Sequence, residues 1–416
     1  MKLPTITVDE LPKYNYNERA RDFQPRCHWG QMKLLMSEIQ FLNHVALDKN
    51  VNPKKTLITY AGAAGGEHLE YLYTIYPDYD WLLIDPGSFS KAASHHPRRG
   101  AVKIRNEFFL DSTIKTIPVG YETYLFISDI RVDTKEELVM NDMIKQAEWL
   151  MMMNAKHSLS KFRLPYTNEN EDTKIKLPTD SFSYNYNKKL MTLPKGKAGK
   201  NEILYLDGIL NLQIFPPIHS TELRLIVSRN TDGSYPFEYY NYKDIEDQLF
   251  FYNNVLRMNY RLTDNLATEH KIPLDTLLAI KGFDDGYECY MIYKAMDDYQ
   301  KQSGTKKSTV ELVKELFTTM ERITHRDPIT CAIHTYDHIL KSRNYTTEEK
   351  DRIVLWTQIV KHLHSGSKDL LEITQEGKLI PYHPVKKIGS SSTRNSKSRK
   401  SRKTVRGGSR QLSKRN

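Results

Sequence analysis

Compact apolar runs alternate with helical periodicity through the first half of the chain. TLITYA (56–61), WLLID (81–85) and TYLFISD (123–129) are short apolar runs closed by a turn or an acid, the pattern of strands buried on both faces. Around them apolar residues recur three and four apart: Leu35, Ile39 and Leu42 in GQMKLLMSEIQFLNHVAL, and a longer series in KEELVMNDMIKQAEWLMMM. Those segments predict helices with one face to a core, Met151 to Met153 packing at the end of the second. HSLSKFRL, ILYLDG and ELRLIVS predict further strands. Together they predict an α/β fold: a mostly parallel sheet with helices on both faces.

Beyond about Ile245 the pattern turns helical: IEDQLFFYNNVLRM, then VELVKELFTTMERI behind a Ser308–Glu311 capping box, then IVLWTQIVKHLH between Thr346 and Gly366. Polar stretches divide the chain into an N-terminal arm (1–25), a main α/β domain (26–320) interrupted by a polar insertion (167–201), a helical extension (321–385) and a basic tail (386–416). The tail, with SSSTRNSKSRKSRKTVRGGSR, has too few apolar residues to offset ordering entropy and is expected to be disordered. No internal repeat is present.

Composition narrows the class. With 39% apolar residues, including 26 Tyr and 14 Phe, the chain can bury a sizeable core. No apolar run approaches the roughly 18 residues of a membrane span, and MKLPTITVDELPKYNYNE lacks a secretory apolar stretch, so a cytoplasmic protein is expected. Cys27, Cys289 and Cys331 show neither disulfide nor zinc spacing, and no metal site is expected. The tail's twelve Lys and Arg, against no acid, exceed the whole-chain net charge of +10, leaving −2 on the remainder. The basic character thus belongs to the tail, a salt-sensitive, nonspecific RNA binder or a localisation signal. HHPRRGAVKIR (95–105) offers a second basic stretch for RNA phosphates, or simply a solvated loop.

Strand, glycine turn, helix and a later acid form the general pattern of an adenosine-cofactor site. Gly62 and Gly66 let backbone approach a ligand, and Asp85, at the end of the second strand, would accept from ribose hydroxyls. A tight turn capped by Asp85 is the alternative, because GxxGG is not the GxGxxG of nicotinamide enzymes.

HWGQMKLLMSEIQFL, YAGAAGGEHLEYL, WLLIDPG, LFISDIR, SKFRLPY and STELRLI occur in the order and approximate spacing of the poxvirus cap-specific mRNA (nucleoside-2′-O-)-methyltransferases, which the chain resembles from about Tyr14 to Met320. Members of that family also serve as regulatory subunits of the viral poly(A) polymerase. The resemblance implies a Rossmann-like fold and S-adenosylmethionine held by Gln31, Tyr60, Gly62, Gly66 and Asp85, with Phe109 beside the adenine and Asp129 at the reactive end. It marks Lys33, Asp129, Lys161 and Glu222 as a catalytic Lys-Asp-Lys-Glu tetrad, with Lys161 as general base. For a 7-methylguanine cap it implies stacking between Tyr166 and Tyr14 or Tyr16, since the charged base gains cation–π energy, with Glu246 at the base edge. Gly87, Asn168 and His219 stand where the family has other residues, the last two at cap-binding positions. Capped mRNA and a poly(A) polymerase catalytic subunit are the implied partners. A noncatalytic processivity subunit and a cap-independent RNA 2′-O-methyltransferase are the alternatives.

Two other signals are set aside. His325-Arg326-Asp327 copies a kinase triplet without its companions, and His334 and His338 lack the acid of a zinc motif.

Overall fold

All six residues of Thr56–Ala61 (β1) are buried, as suits a strand paired on both edges and covered on both faces. β1 runs parallel to Asp80–Ile84 (β2) on one side and to Thr123–Ser128 (β4) on the other. The computed structural model describes residues 30–166, 188–214, 216, 220–253, 286–324, 371–373 and 379–381. Val102–Arg105 (β3) lies outside β2, His157–Phe162 (β5) joins β4 in parallel, and Leu223–Ser228 (β9) then runs antiparallel between β5 and Ile209–Asn211 (β8). The seven-stranded order is β3-β2-β1-β4-β5-β9-β8. Strand order reverses between β1 and β4, the crevice where open α/β sheets bind ligands.

Gly30–Ala46 (α1) covers one face, with Leu34, Ser37 and Glu38 over Tyr60 of β1 and Leu159 of β5. Glu136–Met152 (α4) covers the other, where Trp149 meets Phe109 edge-on and Phe109 packs on Phe126 of β4. The α/β architecture read from the apolar runs is therefore present. Leu69–Ile75 (α2) follows the glycine turn, and Asp111–Ile114 (α3) precedes β4.

A second sheet joins Met191–Thr192 (β6), Tyr235–Asn241 (β10) and Glu202–Leu206 (β7). It is fixed to α4 where Tyr205 donates to the Met143 carbonyl at 2.7 Å. Tyr242–Phe251 (α5) follows β10, its amino end capped by Asn241. Gly286–Ser303 (α6) and Thr309–Thr324 (α7) lie against α1 and α2: Asn43 donates to the Ala295 carbonyl (2.8 Å), Tyr299 to that of Ile75 (2.9 Å) and Tyr71 to that of Leu312 (3.0 Å). The expected capping box is formed, with the Ser308 amide donating to Glu311 (2.7 Å) and the Glu311 amide to Ser308 (3.3 Å). Leu371–Ile373 (β11) and Leu379–Pro381 (β12) pair as a hairpin.

One expectation changes outright. The last four residues of HHPRRGAVKIR are the edge strand β3, not a charged loop. Two of its arginines are used structurally: Arg98 pairs with Asp80 at 2.8 Å and Arg105 donates to Thr116. The arm, residues 167–187, the predicted helix IVLWTQIVKHLH, the two declined histidine signals and the tail lie outside the described residues. Among those described, no helix is long and apolar enough to cross a membrane.

Candidate functional site

β1 ends in the glycine turn because nothing larger fits there. Gly62 has φ +81°, and a Cβ on it would lie 3.0 Å from the backbone of Asp129 and Ile130. Its bareness thus lets the end of β1 sit against the end of β4. Gly66, at φ +63°, likewise faces Ala93 and Leu69. Asp85 at the end of β2 accepts from the amides of Ala64 (3.1 Å) and Gly87 (2.7 Å). It is the turn's brace, as the alternative reading held. Each carboxylate oxygen has a second acceptor direction, which is what a vicinal diol asks for, so this pair of acceptors fits an adenosine ribose. Gly87 spends its amide on Asp85.

Gln31 lies in the first turn of α1, its side chain about 3.4 Å from a Cβ built on Gly65. Tyr60 is buried beneath α1, where burial and the nearby Glu38 raise its phenol well above the ordinary value. Phe109 is also buried, with its ring in the core against Trp149, while its neighbours Phe108 and Leu110 are exposed.

Lys33, Asp129, Lys161 and Glu222 converge. Lys161 is one residue past the point where Ser160 of β5 sits beside Ser128 of β4, so it reaches Asp129 directly. Its Nζ donates to Asp129 Oδ1 at 2.9 Å and to the Asp129 main-chain oxygen at 3.0 Å. Lys33 comes from α1 to Glu222, Nζ to Oε1 3.3 Å.

Three residues not singled out from the sequence complete the cluster. Arg224 is 2% exposed and donates to Asp129 Oδ1 at 2.5 Å, with Glu222 3.8 Å away. Arg131 is 3.5 Å from the other Glu222 oxygen, and Gln213 donates to Glu222 Oε1 at 3.2 Å. Each arginine stands two positions after a tetrad acid, Arg224 within β9 and Arg131 in the loop after β4. That spacing was the available signal.

The electrostatics follow from this packing. Burial would raise Asp129 and Glu222, but Arg224 and Lys161 hold Asp129 below the carboxylate range, and Lys33, Lys161, Arg224 and Arg131 hold Glu222 well below it. Burial lowers Lys33 despite the opposing pull of Glu222. Four cations surround these two acids, and Asp142, 4.0 Å from Arg131, is a third acid at the edge of the cluster. Among the described residues, no cluster of His, Cys, Asp and Glu could hold a metal ion.

Tyr166 and Glu246 share a recess with Leu164, Pro165, Thr221, Tyr242 and Ile245. Thr221 adjoins Glu222, so the recess borders the charge cluster. The Arg163 guanidinium lies 4.8 Å from the centre of the Tyr166 ring. Tyr14, Tyr16, Asn168 and His219 fall outside the described residues.

A family model described as "Poly A polymerase regulatory subunit" matches residues 1–191. The chain is also similar to the cap-specific mRNA (nucleoside-2′-O-)-methyltransferase of fowlpox virus (strain NVSL), with 28% identity over 181 residues. The match covers 41% of this chain and 58% of that protein, so it spans little more than half the relative's length.

Proposed function

We propose that the chain is an S-adenosylmethionine-dependent methyltransferase acting on the ribose 2′-hydroxyl near the 5′ cap of mRNA, in the cytoplasm of an infected cell. The observation that supports this most directly is the meeting of Lys33, Asp129, Lys161 and Glu222 at the strand-order reversal, beside the glycine turn. The curated relative is a methyltransferase with that activity in its name. Asp85, Gln31 and the turn of Gly62 and Gly66 would hold the cofactor, which when bound supplies a methyl group already activated on a sulfonium.

The chain's own residues must then orient the hydroxyl and take its proton. Two oxygens of Asp129 accept from Lys161 Nζ; once its third proton has left to solvent, the amine would keep both bonds and turn one lone pair outward. That lone pair accepts the hydroxyl proton, and Asp129 stabilises the ammonium produced. Such help is worth roughly 10²- to 10⁴-fold. Lys33, Arg131 and Arg224 hold the acids in place. The Tyr166–Glu246 recess would receive the cap base, the ring by stacking and the acid at its edge.

A second role as regulatory subunit of a poly(A) polymerase is favoured by the description of the matching family model. Both roles are compatible, because the methyl-transfer site occupies one rim of the sheet. The deciding experiment offers labelled S-adenosylmethionine with capped and uncapped short RNA. Transfer to capped RNA alone is expected. Equal transfer to both would mean a cap-independent enzyme, and RNA binding without transfer a noncatalytic subunit.

A further inference from the structure

A buried chain of polar side chains runs behind the glycine turn and is not used by the reaction described above. Glu38 and His68 are each 1% exposed. His68 Nε2 lies 3.0 Å from Glu38 Oε1, and its Nδ1 lies 2.6 Å from Gln31 Oε1. The His68 main-chain amide also faces Gln31 Oε1, at 3.4 Å. A main-chain N–H can only donate, so the Gln31 atom it meets is the carbonyl oxygen. With that oxygen occupied, Nδ1 carries a proton and donates as well. The opposite end of the amide, Nε2, is thereby turned toward Gly65, 3.4 Å from a Cβ built there; Glu67 Oε2 lies 2.6 Å from the same point and would have to swing aside for an anionic ligand.

We infer that His68 is a positioning residue that fixes the amide of Gln31, so that Nε2 is presented at the glycine turn as a donor for the carboxylate of the cofactor's amino-acid end. The inference rests on the methyltransferase reading and deepens it. Gln31 free to rotate would present an acceptor as often as a donor, and an acceptor repels a carboxylate. Glu38 anchors the relay: a proton shared between its Oε1 and His68 Nε2, 3.0 Å apart, keeps the imidazole plane fixed while Nδ1 donates to Gln31. Placement in the first turn of a seventeen-residue helix adds the favourable field of that helix end to a bound anion.

The test compares two ligands on the full chain by calorimetric titration: S-adenosylhomocysteine, which has the carboxylate, and 5′-methylthioadenosine, which does not. His68→Gln removes the donor at the Nδ1 position. It should weaken S-adenosylhomocysteine roughly ten- to a hundredfold, the span of one hydrogen bond to a charged group, and leave 5′-methylthioadenosine unchanged. His68→Asn, whose amide nitrogen occupies the Nδ1 position, should restore most of the loss. In a Gln31→Ala background the His68→Gln effect should vanish, since the two act as one unit. Equal weakening of both ligands, or a loss that persists without Gln31, would overturn the role of His68 while leaving the methyltransferase reading intact. Failure of the unaltered chain to bind either ligand would overturn that reading and this inference with it. Should His68→Gln fail to fold, ¹⁵N-histidine spectra of the unaltered chain decide the matter, because an unprotonated Nδ1 is incompatible with the relay.

Discussion

Lys33 sits 3.3 Å from Glu222, yet its pKa is lowered, because burial outweighs the attraction of that carboxylate. Near neutral pH the charged form is therefore held at a cost. Lys33→Met takes one cation from the buried Glu222 and should cost stability, by up to about 3–5 kcal/mol, while cutting methyl transfer, as read by thermal unfolding and turnover; unchanged or raised stability would show that the burial of the lysine outweighs its pairing with Glu222. Lys161→Ala should lower turnover roughly 10²- to 10⁴-fold with folding intact, and activity equal to the unaltered chain would remove Lys161 as base. At the opposite end of β5, His157 bonds Asp48 (3.1 Å) and Ser228 (2.8 Å), and burial pushes it down to about 4 from 6.5. The fold holds this ring neutral while the unfolded chain takes up a proton, so its contribution to stability is present above pH 6.5 and is lost as pH falls toward 4. Half-buried His44 shifts the same way. The urea midpoint should decline across that window, and His157→Gln should flatten the decline. The tetrad and Asp85 were legible through ordered sequence blocks. Arg131 and Arg224 were not, because an arginine read in isolation looks like a surface charge and only packing shows it buried.

Elements with both faces covered were the most readable. β1, β2 and β4 are almost wholly buried, so their apolar runs are unbroken and their edges plain. β3 is an edge strand of mixed exposure and β8 has three residues; neither carries a period to detect. Direction was also hidden: ELRLIVS reads equally well either way, and only its pairing with β5 and β8 makes β9 antiparallel. The glycine turn was visible, but its physical demand was not. Gly62 is required by the approach of Asp129, a contact between segments 67 residues apart in number. Gly62→Ala should therefore cost about 1–3 kcal/mol, from positive φ and the 3.0 Å backbone contact together. Cofactor affinity should fall with it, and a thermal shift together with a binding titration would register both.

At the scale of the molecule, charge and cover are unevenly distributed. Removing residues 386–416 takes away twelve cationic side chains and should flatten the salt dependence of RNA affinity while sparing turnover at saturating substrate; filter binding across a salt series reads this directly. At the other extreme, α6 and α7 bond to α1 and α2, the helices that carry Lys33 and follow the glycine turn. The part of the chain matched by the family model thus leans on helices that it does not match. Because β9 runs against β5, Lys161 leaves its strand at the rim where Glu222 enters its own. Everything between them departs from one edge of the charge cluster and returns to it. Polar residues 167–201 lie inside that excursion, so they are a segment that lineages could lengthen or exchange while the spacing of the four charges stayed untouched.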